Sequence, residues 1–464
     1  MRVPAANART HSPSGIAREL ACICFEVTGD APKTTWSHGP MPWELPDGKL
    51  ADGKSRLTYF QARAAEALYG SEDGHIVSRW HRRSDERCDT TGFTVRGLEL
   101  VKFREYAQPD RTLMSRDAYR YLAIVHLDLH DSNHPIELLH SLVNLNPDDK
   151  LGVASRELYL SLLGSGYNIP ASTRRAFSIS MFTFSQIPPP ALPGAPERWS
   201  SVTSWLWASS TATSLMRYCP DADDPSLLDG LVYLSASWRA LVVRDGMGFV
   251  GLIPDPPAQG ANFFSWAEVY VRSIYSDVAV LAFLQRDALN GFADRLGAIG
   301  DRFEKSGSFK ALVNNVTEFR NVLWWEDVTL HGAANQLLDR LHSAHRTPTL
   351  FSRIVSDLDA FRQQVEAQAL EASVAVQVLE EKRARQFDRF ASIAAISFAV
   401  PALTFAALAL PIRGFTAGTD DLSPWVVATI GVCSVLFGTL LGTIGASLFA
   451  HRRRKDGQQH PDAN

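Results

Sequence analysis

The sequence predicts an α+β unit followed by a long helical hairpin, a stalk helix and a two-helix transmembrane hairpin. Three observations carry that expectation. Strand-like runs crowd the first 260 residues, helical spacing takes over from residue 261, and two charge-free apolar stretches stand near the end, at 391–411 and 425–450. The units expected are an α/β ligand or regulatory domain over 1–260, a helical hairpin over 261–346, a stalk helix over 347–390, the two spans within 391–450, and a basic tail over 451–464. A chain of 464 residues is long enough for two or three such units.

The elements follow in order. LACICFEV at 20–27 reads as a short buried strand, and ELPDGKL at 44–50 as two arms around a Pro-Asp-Gly turn. LTYFQARAAEALYG at 57–70 has helical spacing and ends in glycine. The runs at 93–106, 118–130 and 175–187 are strand-like, with a helix at 134–144 between the last two. The proline-rich stretch at 187–196 is a loop, and 231–253 reads as two or three strands turning at Asp245-Gly246. Long helices are expected from 262 and over 302–345. The Phe319–Trp325 aromatic run sits on the latter, where core packing is the default. Thr347-Pro348 supplies an N-cap and first-turn pair. From there Leu350, Ile354, Leu358, Phe361, Val365, Ala369, Ala372, Ala375 and Leu379 step by threes and fours, with no breaker before Pro401. One continuous helix of about 90 Å is expected, its seam packed on the preceding helices or on copies of itself.

Each charge-free stretch reaches the length of about 20 apolar residues that a membrane crossing needs. Lys382, Arg383, Arg385 and Arg389 precede the first, and Arg452, Arg453, Arg454 and Lys455 follow the second. The joining loop holds Arg413 against Asp420 and Asp421. The positive-inside rule then predicts a multi-pass protein of the cell (plasma) membrane, both chain ends cytoplasmic, in contact with membrane lipid. Ser397, Pro401, Thr404 and Leu408 share a face of the first span, and Gly438 and Gly442 form a small-residue pair for helix packing in the second.

Composition narrows the function. A net charge of −4 gives no field for nucleic acid, so no nucleic-acid partner is expected. Cys22, Cys24, Cys88, Cys219 and Cys433 are scattered and odd in number, the pattern of reduced thiols. The N-terminal stretch lacks the apolar core of a signal peptide. Gly48 to Ser55 fits the phosphate-loop spacing, but Pro46-Asp47 before it marks a turn where a buried strand is required. His126, Asp128 and His130 alternate along a strand and share one face, a donor set suited to a divalent cation; a polar strand face turned to solvent is the competing reading. No motif points to an enzyme, and none is expected.

The order of elements, with Pro401-Ala-Leu-Thr404-Phe-Ala-Ala in the first span, resembles the CorA-type divalent cation (magnesium) transporter family. That family's Gly-Met-Asn signature is replaced here by Leu410-Pro411-Ile412-Arg413-Gly414-Phe415. The resemblance implies a CorA-like architecture and a homo-oligomer, a pentamer by analogy, whose ion channel is gated by the N-terminal domain. It further implies Ser397 and Thr404 as pore-lining groups and Arg413, Asp420 and Asp421 at the outer mouth. The alternative is a membrane-anchored sensor or effector whose N-terminal domain binds a ligand or partner without selective transport.

Overall fold

The computed structural model describes residues 15–409 except 52–55, 70–78, 85–86, 89–91, 104–118, 131–133, 257–261, 301–305 and 326, with isolated helical positions between 429 and 444. The chain divides into two compact units, Met1–Asp359 and Ala360–Asn464.

The first unit is mixed α/β. Its strands are β1 (Ile16–Gly29), β2 (Ser37–His38), β3 (Trp43–Glu44), β4 (Leu50–Ala51), β5 (Arg79–Arg83), β6 (Arg87–Cys88), β7 (Phe93–Lys102), β8 (Tyr119–Leu129), β9 (Tyr167–Asn168), β10 (Phe177–Phe184), β11 (Leu231–Ser235), β12 (Trp238–Val243) and β13 (Gly246–Gly251). Its helices are α1 (Ala62–Tyr69), α2 (Pro135–Val143), α3 (Lys150–Leu163), α4 (Ser201–Thr211), α5 (Phe263–Tyr270), α6 (Ser276–Gly300), α7 (Ser306–Val322) and α8 (Gly332–His345), and a π-helical turn, Val271–Tyr275, joins α5 to α6. The large sheet runs β11-β12-β13-β10-β1-β8-β7-β5-β2, with β6 on β7 and β9 on β1. Its pairings are antiparallel apart from β10 with β13, and β3 and β4 form a separate hairpin.

Alternation along the central strands sorts side chains onto two faces. Ile23 and Phe25 of β1 and Val125 and Leu127 of β8 point to one side, where Leu139 and Leu142 of α2, Tyr159 and Leu162 of α3 and Trp205 and Leu206 of α4 close an apolar core. Ser200 caps α4 by accepting from the Thr203 amide at 3.1 Å. The opposite face carries Cys22, Cys24, Glu99, His126 and Asp128 under the π turn and α6. Toward β13 the same layer becomes aromatic, with Phe249 stacked on Tyr275 at 5.5 Å and Phe177 edge-on to Phe283 at 5.0 Å.

The single helix expected over 302–345 is two, α7 and α8. The chain leaves the helix because tertiary partners take its backbone: Gln61 donates to the Val328 carbonyl at 2.8 Å, and Phe60 bridges Thr329. Asn335 holds the turn by accepting from the Val328 and Thr329 amides. Arg346 ends α8 in the left-handed region, φ 54°, and α9 (Thr347–Ala409) follows at once.

The transmembrane part of the expected fold is corrected. Among the described residues no helix is long and apolar enough to cross a membrane. The CorA-like membrane hairpin, the transmembrane assignment and the plasma-membrane localisation with cytoplasmic ends are withdrawn on that finding. The 391–411 stretch enters the structure as the last turns of the 63-residue α9, to Ala409, and most of 425–450 lies outside the described residues. Most side chains of 393–409 likewise lie outside the described residues. The side chains of Ser397 and Thr404, and Arg413, Asp420 and Asp421 altogether, lie outside the described residues.

The second unit's described part is α9 from Ala360 onward, with the isolated helical positions between 429 and 444. Taking 100° per residue, Ile354, Leu358, Phe361, Val365, Ala369, Ala372, Val376, Leu379, Phe387 and Phe390 fall in a stripe roughly 80° wide, with Arg383 the one charged member. Ile354 is 1% exposed, whereas Val376 is 54% and Phe387 79% exposed. The stripe is covered at its start and bare beyond.

Candidate functional site

The polar face of β8 is not turned to solvent. Its even positions sit under the π turn, and that burial forces the ionisable groups into a closed network. Glu99 of β7 is the hub. Its Oε1 accepts from His126 Nε2 at 2.8 Å, and its Oε2 accepts from Arg79 Nε at 2.8 Å and from the Met41 amide at 2.9 Å. Arg79 also donates through Nη1 to Asp277 Oδ1 at 2.7 Å. Asp277 Oδ2 accepts from Arg56 Nη1 at 2.9 Å and from the Tyr69 hydroxyl at 2.8 Å. Arg56 in turn donates to the carbonyls of Met41 and Ala51, so both ends of the β3–β4 hairpin are tied to the network.

Beside this cluster Arg272, carried by the π turn, donates to Asp128, which also accepts from Arg96 Nε at 2.6 Å. A π turn widens the helix by one residue and re-aims its side chains, a device common at functional sites. Here it brings Arg272 over the Trp43 ring, 5.1 Å from the centroid, while Trp43 meets His126 edge-on at 5.0 Å. Gly97 of β7, opposite His126, makes room for the cover: a Cβ there would stand 2.3 Å from Met41 Sδ and 3.0 Å from the Arg82 carbonyl. Gly97→Ala is expected to cost about 1–3 kcal/mol through overpacking, read from urea unfolding.

Electrostatics fixes the protonation states. Burial works to raise the Glu99 carboxyl, but Arg79 and the His126 hydrogen bond carry it well below its usual range. Burial, aided by the charges of Arg272 and Arg79, holds His126 below its ordinary value against the pull of Glu99. His126 is therefore neutral, donates from Nε2 to the carboxylate, and accepts at Nδ1 from the Cys22 thiol, 3.2 Å away. Burial pushes Cys22 up to about 12, so the thiol keeps its proton. Burial also lowers His342 and His345 to about 4. The sign follows by linkage. The unfolded chain binds protons at these histidines from pH 6.5 downward, and the folded chain does not. Stability should fall as pH drops from about 6.5 toward 4, and Glu99 steepens the loss below 4.5. Urea midpoints at pH 7, 5.5 and 4.5 check this, and a flat profile contradicts it.

Of the residues expected to hold a metal, His126 and Asp128 are joined to the network, each engaged by protein partners. His130 sits past the end of β8, its Nε2 buried without a hydrogen-bond partner among the described residues. Among the described residues no group of three or more His, Cys, Asp or Glu is arranged to hold a metal ion. Gly48 lies in the β3–β4 turn, φ 81°, between antiparallel strands and not at a strand-to-helix junction, and 52–55 lie outside the described residues. Glu99, Arg79, Arg56, Asp277, Arg272 and Trp43 were missed. Arg272 and Asp277, two charges close before the apolar helical run at 278–284, were the available signal. No protein-family model, curated protein or solved structure matches this chain.

Proposed function

We propose that the chain is a self-assembling sensor or effector in which the α/β unit binds a ligand or partner and α9 joins copies into a homo-oligomer. The bare stripe of α9 carries this reading. Val365, Val376, Leu379 and Phe387 are 42%, 54%, 57% and 79% exposed along one face of the helix, and large exposed apolar rows mark interaction surfaces. A second copy is the partner that the spacing favours. Val365, Val376 and Phe387 recur every eleven residues, so two parallel copies in register present like to like along the bare part of the row. Such a repeat is close to the turn of an undistorted helix and needs little supercoiling.

The buried ion network supports the sensing half. Balanced internal charges are poor sources of stability, and their best-attested use is to specify a state. Hydrogen–deuterium exchange over 365–390 tests the assembly. Protection that rises with protein concentration is expected; protection independent of concentration would count against self-association.

A further inference from the structure

Three buried donors around His126 find no acceptor among the described residues: Nη2 of Arg79, Nη1 of Arg272 and Nε1 of Trp43. Both guanidiniums are almost wholly buried, at 0% and 2% exposure. The three groups are neighbours. Trp43 lies 5.1 Å from the Arg272 guanidinium and 5.0 Å from the His126 ring, and Glu99 bridges His126 to Arg79 by 2.8 Å contacts on both sides. A buried donor without an acceptor is costly, and native structures rarely leave one. All three orphans are donors, so an occupant shared by them is rich in acceptors. A water would serve one or two of them while passing a hydrogen to Glu99 Oε1, which accepts from His126, whereas an oxyanion accepts from all three without donating.

We propose that the unpartnered donors Arg79 Nη2, Arg272 Nη1 and Trp43 Nε1, grouped around His126, bind a small oxyanion of the phosphate or sulfate class. The assignment rests on the reading of the α/β unit as the ligand-binding part, and gives that ligand its chemistry. Guanidinium forks and an indole N–H match oxyanion lone pairs in geometry and charge.

Charge balance adds a second feature. The cations Arg56, Arg79, Arg96 and Arg272 face the carboxylates Glu99, Asp128, Glu268 and Asp277, four against four. An entering anion therefore needs a proton, and His126 is placed to take it. As imidazolium it would donate from Nε2 to Glu99 and from Nδ1 to Cys22 Sγ, keeping both contacts it has now. The groups facing it are Cys22 from β1, Glu99 from β7, Arg79 from β5, Arg272 from the π turn, Asp128 from its own strand and the Trp43 ring from the hairpin; Asp277, Arg56 and Tyr69 lie one contact further. An oxyanion between Arg79 and Arg272 screens two of the charges that hold the imidazole neutral. Binding should then tighten as pH falls, by up to about tenfold per unit for one proton taken up.

Calorimetric titration of the full chain with sodium phosphate and sodium sulfate, at ionic strength fixed with chloride, tests the site. Saturable one-to-one binding of either anion is expected. Trp43→Phe keeps the ring and removes only the N–H, and should weaken binding at least fivefold with an unchanged circular dichroism spectrum. His126→Gln should flatten the pH dependence. Absence of saturable heat with both anions, or equal affinity in Trp43→Phe, overturns the proposal. Binding is read by heat and assembly by mass, so either can fail without deciding the other.

Discussion

Replacing Arg79 with methionine is expected to cost about 3–5 kcal/mol of folding stability. The guanidinium joins Glu99 and Asp277 through contacts of 2.8 and 2.7 Å, and all three side chains are fully buried. Methionine fills much of the volume but leaves both carboxylates short of a partner in a medium of low dielectric. The desolvation cost of those charges, already met in the folded protein, is then no longer offset. Arg56 still serves Asp277, so Glu99 is the more exposed loss. Adding Glu99→Gln should recover part of the stability, because the second change removes the orphaned charge. A loss below about 1 kcal/mol for Arg79→Met would mean that water, not Arg79, solvates these carboxylates.

Val376→Asp should leave the isolated chain nearly as stable as before yet weaken assembly at least tenfold. The side chain is more than half exposed within its own chain, and surface changes of this kind cost roughly 0.5 kcal/mol or less. Valine and aspartate have similar helix propensities, so α9 itself should persist. In an assembled pair the same position buries a carboxylate from each copy beside its like, with desolvation and repulsion acting together. Equal thermal stability with reduced mass is the signature expected. A stable chain whose mass does not change would move the contact off this stripe.

The strands were legible because their alternation survives in the sequence. The run at 20–27 is the middle of β1, and 231–253 resolves into β11, β12 and β13, with the turn at Arg244-Asp245, one residue before the expected pair. The turn at Pro46-Asp47-Gly48 is likewise the tip of the β3–β4 hairpin. The break between α7 and α8 was not legible, since bonds to Phe60 and Gln61, far away in sequence, take the backbone out of the helix. The helix expected to run unbroken from Thr347 into the 391–411 stretch is seen as α9, whereas the membrane crossing expected there is not, since among the described residues no helix is long and apolar enough for one. The site was half visible. His126 and Asp128 stood out as polar residues on a hydrophobic strand, yet their partners come from a different strand, a hairpin and a π turn, and no local spacing records such a meeting.

Light scattering on the purified chain, over a hundredfold range of concentration, decides whether copies meet along α9. A mass that is a multiple of the 51.2 kDa chain is expected at high concentration, falling toward one chain in Val376→Asp. A wild-type mass of one chain at every concentration would rule the assembly out.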